Sequence, residues 1–150
     1  MAALTPSPDP ALVAAALRAL ARDMGDPYRM ADAVLAQALA SGACAAVLAE
    51  EEGRAVGVAL YAPFPSTTRG LIGAFVTDLW VDAGQRGTGL GRHLLAAVRD
   101  QMAARWGGSF LRLNYYADNP GAAAFYDRLG FHAKPQEIWV TLEGRELEAL

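Results

Sequence analysis

The chain has 150 residues, 53% hydrophobic and 19% charged, a composition that suits one soluble globular domain with a substantial core. A net charge of −3 argues against a broad nucleic-acid-binding face, and the single cysteine, Cys44, excludes an internal disulfide and offers no metal cluster. No run approaches the roughly 20 apolar residues that cross a bilayer and no secretory leader is evident, so the expectation is a cytoplasmic protein with no membrane or nucleic-acid partner.

Residues 1–8 read as a loose lead. Asp9-Pro10 then joins an N-cap to a proline at the first helical position, and Leu12, Val13, Ala16, Leu17 and Leu20 form an apolar stripe that stops at Gly25. Asp26-Pro27 repeats the start signal, with Met30, Ala31, Val34, Leu35, Ala38 and Leu39 on a second helix ended by Gly42. Strands are expected over 44–50, where Cys44 reads as a buried inert thiol, and over 54–61 after a Glu51-Glu52-Gly53 turn. Residues 62–70 read as a loop, and a long strand then runs to Val81. Leu90, Leu94, Val98 and Met102 mark a helix from about 90 to 105, stopped by Trp106-Gly107-Gly108. A strand over 110–116 follows, and Asn119-Pro120 opens a short helix closed by Gly130. Two last strands, 131–134 and 137–142, precede a short tail. The order predicts a mixed α/β fold in a single domain over 1–150.

Two segments carry chemistry. In Gln85-Arg86-Gly87-Thr88-Gly89-Leu90-Gly91-Arg92, glycines link a strand to a helix start, where unpaired N–H groups and the positive helix end suit a phosphate, here the pyrophosphate of a cofactor. A turn that merely reverses the chain is the competing reading. The spacing is not that of a dinucleotide fingerprint, and no Gly-Lys-Ser/Thr follows as in a P-loop. Further on, Asn119 and Tyr126 project on nearly the same side of one helix. The strand before that helix should run parallel to the strand before the glycine loop, so both helices would start beside each other at a ligand crevice. Taken alone, Asn119 also reads as a plain N-cap and Tyr126 as a packed aromatic. His93 and His132 have no partner pattern and read as surface or packing residues.

Arg86-Gly87-Thr88-Gly89-Leu90-Gly91 resembles the R/Q-x-x-G-x-G/A loop of the GNAT acyl-CoA N-acyltransferases, and the run from Asn119 to Phe131 is similar to their N-x-x-A-x-x-F-Y-x-x-x-G-F signature. The resemblance covers roughly 54–142, and the two leading helices suit it. The family's usual first strand is not obvious; residues 2–5 could supply only a short one. The implied fold is a GNAT-like, mostly antiparallel sheet with a central parallel strand pair splayed at the cofactor site and about four flanking helices. Thr77-Asp78-Leu79-Trp80-Val81, the Ser66-Thr67-Thr68-Arg69-Gly70 loop and the ending from Trp139 look most similar to diamine/polyamine-type acetyltransferases. That subgroup commonly carries Glu-Asp where this chain has Thr77-Asp78.

The resemblance implies acetyl-CoA as co-substrate and no metal. The backbone of Leu79, Trp80 and Val81 would pair with the pantetheine arm, the amides of Arg86, Gly87, Thr88, Gly89, Leu90, Gly91 and Arg92 would hold the pyrophosphate, and Asn119 would reach the pantetheine end. Tyr126 would hydrogen-bond the thioester sulfur and protonate the departing thiolate. An alkylammonium is neutral only about once in 2,500 molecules at pH 7, so a base or ordered water must take its proton; Asp78 is the leading candidate, and Thr77 could order a water. Asp23, Asp26 and Tyr28 are candidates for the acceptor pocket, with Asp26 also reading as a helix cap. The expected activity is acetyl transfer to a primary amine of a polyamine- or amino-acid-like small molecule through a ternary complex, by a homodimer. The alternatives are a protein N-terminal or lysine acetyltransferase and a non-catalytic acyl-CoA-binding module.

Overall fold

In the computed structural model, which describes residues 2–6 and 8–150, contacts divide the chain into two compact units, one ending at Asn114 and the other beginning at Tyr115. The first unit holds β1 (Ala3–Pro6), α1 (Pro10–Met24), α2 (Asp32–Ser41), β2 (Ala45–Glu51), β3 (Arg54–Ser66), β4 (Leu71–Val81), a single 3-10 turn (Ala83–Gln85), α3 (Leu90–Trp106) and β5 (Leu111–Leu113). The second holds α4 (Pro120–Arg128) and α5 (Arg145–Glu148). The five strands form one sheet in the order β1-β2-β3-β4-β5, antiparallel except for the parallel pair β4–β5. This is the GNAT arrangement the motifs imply, except that the parallel pair lies at the edge of the described sheet and not at its centre, and the short first strand is present as β1.

Both sheet faces are covered. α1 and α2 bury Val13, Ala14, Ala16, Leu17 and Leu35 with Ala46, Leu48, Val58, Leu60 and Trp80. α3 packs across β2, β3 and β4 with Leu90, Leu94, Leu95, Val98 and Met102 buried. Each of these side chains contributes about 1.5–3 kcal/mol by leaving water. The helix comes so near that a Cβ on Gly57 would stand 3.1 Å from Leu94 Cδ1.

Local signals set most boundaries. Asp9 caps α1 through Oδ1 to the Ala11 N–H at 2.8 Å, with Pro10 next. Gly25, at φ +72°, ends it: the Gly25 N–H reaches Arg22 O and the Asp26 N–H reaches Ala21 O. That paired cap explains why α2 does not start at Asp26-Pro27. Asp26 belongs to the end of α1, and α2 begins at Asp32 with Ala31 as an N-cap that makes no side-chain bond.

β3 outruns its expected end at residue 61 and continues to Ser66 through Pro63 and Pro65. Its ladder with β2 stops at Tyr61, so prolines missing an N–H lie where only β4 flanks the strand. A stack of Phe64 on Phe75 and cation–π contacts from Arg112 to Phe64 and Arg69 to Phe110 cover this extension. Cys44 packs half-buried against the core, and burial pushes its thiol pKa up, as an inert thiol requires.

The two closing strands are a correction. Residues 131–134 and 137–142 form no strand: a turn closed by the Glu137 N–H on Lys134 O at 3.0 Å interrupts them, and Ile138, Trp139 and Val140 remain exposed. Pro135 cuts the first run to four residues, and β-branched composition makes a strand only where a ladder partner exists; none pairs here among the described residues. β5 is therefore the last strand of the described sheet, and the expected tail instead forms the one-turn α5.

Candidate functional site

Two irregularities in β4 coincide. The β3–β4 register slips between Leu60↔Asp78 and Tyr61↔Val76, which makes Thr77 the extra, bulged residue, its Oγ1 donating to Leu60 O at 3.3 Å. The β4–β5 ladder runs only from Ala74↔Leu111 to Val76↔Leu113, so it ends where the bulge begins. From Thr77 to Val81, β4 has β3 on one side and no β5 partner on the other. Gly73 and Gly108 hold the paired half together: a Cβ on Gly73 would lie 2.5 Å from Phe110 O, and one on Gly108 would lie 1.9 Å from Ile72 O.

The chain leaves β4 into a pinned loop. Asp82 Oδ1 accepts from the Gly84 N–H at 3.0 Å, and its other oxygen accepts from Arg54 at 3.1 Å. These bonds hold the Asp82 carboxyl below its usual range, the backbone donor having the largest part. Gln85 donates to Glu51 Oε2 at 2.8 Å. The amides of Arg86 and Thr88 close turns on Ala83 O and Gln85 O, both at 3.4 Å, and the Thr88 hydroxyl donates to Gln85 O at 2.7 Å. The His93 N–H is the first to enter the α3 ladder, on Gly89 O.

The amides of Gly87, Gly89, Leu90, Gly91 and Arg92 have no protein acceptor among the described residues. Gly87 (φ +80°) and Gly89 (φ +90°) occupy left-handed backbone, and a Cβ on Gly87 would meet open space. The pattern is a cradle for an anion at the positive end of a long helix, and the free β4 edge offers a ladder to an extended polar chain.

Asp78 and Tyr28 are two titratable groups of this unit that burial shifts. Burial pushes the Asp78 pKa above its ordinary value, partly offset by the neighbouring Thr77 hydroxyl. The Tyr28 pKa is also raised, chiefly by burial; Arg18 lowers it while Asp32 and Asp78 raise it. The Tyr28 hydroxyl oxygen is buried without a hydrogen-bond partner among the described residues, and Arg18, ion-paired with Asp32, lies over its ring at 5.0 Å. A phenol held protonated beside a carboxylate with a raised pKa offers a hydrogen-bond donor next to a group that can accept a proton.

Asp23, a candidate for the acceptor pocket, is tied to the end of β4 and the start of the loop. Its Oδ2 accepts from Arg86 Nη2 at 2.6 Å and from Trp80 Nε1 at 3.0 Å. Pairings between residues so far apart along the chain leave no local pattern to read; Glu51–Gln85 and Arg54–Asp82 are of the same kind.

In the second unit Asn119 caps α4, its Oδ1 accepting from the Ala122 N–H at 3.0 Å. Gly130, at φ +87°, ends the helix, with its own N–H on Asp127 O and the Phe131 N–H on Tyr126 O. Tyr126 is stacked on Tyr115 (centroids 5.6 Å, 27°) and meets Phe125 and Phe131 edge-on at 5.1 and 5.4 Å. Burial pushes its pKa up to about 12, so it is a phenol at any physiological pH. Packed-aromatic and proton-donor readings of Tyr126 are compatible, since the cage immobilises the ring.

The sequence model of the acetyltransferase (GNAT) family matches residues 13–131. No curated protein sequence matches. Among solved structures, an integron cassette protein from the mobile metagenome of V. cholerae superposes with a TM-score of 0.78 at 19% identity, covering 99% of this chain and 96% of its own. An aminoglycoside acetyltransferase from an uncultured soil metagenomic sample gives 0.79 at 16% identity, covering 95% and 96%. A ribosomal-protein-alanine N-acetyltransferase from Brucella melitensis biovar Abortus gives 0.70 at 24% identity, covering 97% and 98%. At these identities the likeness is one of fold.

Proposed function

The chain belongs to the GNAT acetyltransferase family, and from that premise we propose that it moves an acetyl group from acetyl-CoA to a primary amine of a polyamine- or amino-acid-like small molecule, by direct attack in a ternary complex. The observation that carries the reading is the run of outward amides at Gly87, Gly89, Leu90, Gly91 and Arg92 directly after a β4 edge that lacks a β5 partner from Thr77 to Val81. Those amides suit the pyrophosphate, and the backbone of Leu79, Trp80 and Val81 suits the amide-bearing pantetheine arm. Asn119 serves the far end of that arm, through the amide nitrogen that its capping role leaves over.

Acetyl-CoA supplies an activated acyl carbon; the chain's own residues manage two protons. Asp78, or a water ordered by Thr77, takes the proton of the incoming ammonium. Burial helps here, because a carboxylate with a raised pKa is the stronger base. Tyr28 lines the acceptor side, its phenol close enough to Asp78 to sense that carboxylate's charge. Tyr126 donates to the sulfur as the carbon–sulfur bond breaks, and the second proton, shed by the newly acylated nitrogen, restores the phenol. Complete transfer from a phenol at about 12 to a thiolate whose acid has pKa about 8.5 is uphill by on the order of 5 kcal/mol, so Tyr126 acts first as a hydrogen bond that strengthens as negative charge builds on sulfur.

The reading extends to a homodimer acting in the cytoplasm, and sedimentation of the purified chain tests the dimer. The main test is thiol release from acetyl-CoA against panels of diamines, amino acids and peptides. Amine-dependent release with intersecting initial-velocity lines supports the proposal. Preference for peptides would shift the acceptor to a protein, and binding without release would leave an acyl-CoA-binding module.

A further inference from the structure

Arg86 opens the glycine loop, yet its guanidinium is committed within the protein. Its Nε donates to Val81 O at 3.1 Å and its Nη2 to Asp23 Oδ2 at 2.6 Å, while the same Asp23 oxygen accepts the Trp80 indole at 3.0 Å. One carboxylate on the last turn of α1 thus ties the end of β4 to the first residue of the loop. Trp80 is buried in the core, so the tie is anchored on its inner side, whereas Asp23 and Arg86 are about half exposed. An exposed ion pair is worth little to stability. Its consequence is geometric: it fixes where the loop leaves the strand, and with it the direction of the amides from Gly87 to Arg92.

We propose that Asp23 is a positioning residue for the acyl-CoA loop, acting through Arg86 and Trp80 without touching the ligand. The inference rests on the acetyl-CoA reading above. It makes a prediction of distinctive sign. Asp23 is an anion beside a site for an anion, so were it a bystander, or a competitor for an Arg86 that bound phosphate, its removal would leave CoA affinity unchanged or improve it. A positioning Asp23 gives the opposite result.

Calorimetric titration of CoA into wild-type, Asp23→Ala, Arg86→Ala and the double variant tests this, with Tm recorded for each. Expected are an Asp23→Ala Kd raised about tenfold, a similar rise for Arg86→Ala, and a double variant little worse than either, as for members of one hydrogen-bond network. Asp23→Asn, which keeps an acceptor for the indole, should recover part of the affinity and serves in place of Asp23→Ala if that protein does not fold. In ¹H–¹⁵N spectra the Trp80 indole and the Gly87, Gly89 and Gly91 amides should shift together in Asp23→Ala. Unchanged or tighter CoA binding by folded Asp23 variants, or additive losses in the double variant, would overturn the proposal. Failure of the wild-type chain to bind CoA would overturn the acetyl-CoA reading instead, so the two failures are distinguishable.

Discussion

Gly89 and Gly25 make a matched pair for testing the loop. Both cap helices from left-handed backbone, at φ +90° and +72°. Neither has crowded space around a new side chain: a Cβ on Gly89 would find only His93 Cε1 at 3.9 Å, and one on Gly25 nothing within 4 Å. Substitution by alanine therefore costs mainly backbone strain at either position, about 1–2 kcal/mol. For a chain of this size that lowers Tm by roughly 2–8 °C. The ligand cost differs. At Gly89 the methyl group stands among the amides that face outward, and losing even one charge-assisted hydrogen bond there, about 1.5–3 kcal/mol, weakens binding by about 10- to 150-fold. Thermal melts and calorimetric titration with CoA measure both effects. Gly89→Ala and Gly25→Ala should melt within a few degrees of each other, with CoA affinity lost only in Gly89→Ala. Equal affinities in the two variants would refute the placement of the pyrophosphate on this loop.

Tyr126→Phe should leave CoA affinity within about twofold of wild type while lowering kcat by about 10²-fold or more, read by titration and thiol release; unchanged turnover would remove Tyr126 from the chemistry. Asp78→Asn should move the rate optimum to higher pH, since deprotonation then falls to the free amine, and an unchanged pH–rate profile would exclude Asp78 as the base. The same substitution has a stability signature. Because the folded pKa of Asp78 is raised, the folded state holds its proton longer than the unfolded one, and wild-type stability falls as pH rises from the unfolded pKa through the folded one. Asp78→Asn should then melt above wild type at neutral pH, and a gap that did not narrow below both pKa values would contradict this origin. Gly108→Ala should lower Tm well beyond the caps, because its Cβ would fall 1.9 Å from Ile72 O and the β4–β5 junction must shift; an unchanged melt would contradict that packing.

What the sequence made readable was what short-range chemistry decides. Asp9-Pro10, Gly25, Gly42, Asn119-Pro120 and Gly130 each mark the helix end they were expected to mark, because a cap is settled within a few residues. The same logic failed at Asp26-Pro27, where the preceding helix had already taken the Asp26 N–H. It failed at Pro63 and Pro65 because whether a strand tolerates proline depends on its neighbour, and β2 ends before them. The segment 137–142 has strand composition, yet composition does not provide a ladder. At the site, the glycine loop and the Thr77–Val81 segment were visible as motifs, whereas the bulge at Thr77 depends on its pairing with β3. The Asp23–Arg86–Trp80 tie and the contact between Tyr28 and Arg18 join residues from separate elements, and only the folded chain shows them.

The most direct measurement of acetyl transfer follows isotope-labelled acetyl-CoA by mass spectrometry in the presence of single primary amines. The expected result is an N-acetylated amine formed in a one-to-one ratio with released CoA, with no labelled protein at any time. Release of CoA without an amine, labelling of the protein, or no release with any amine or peptide would contradict it.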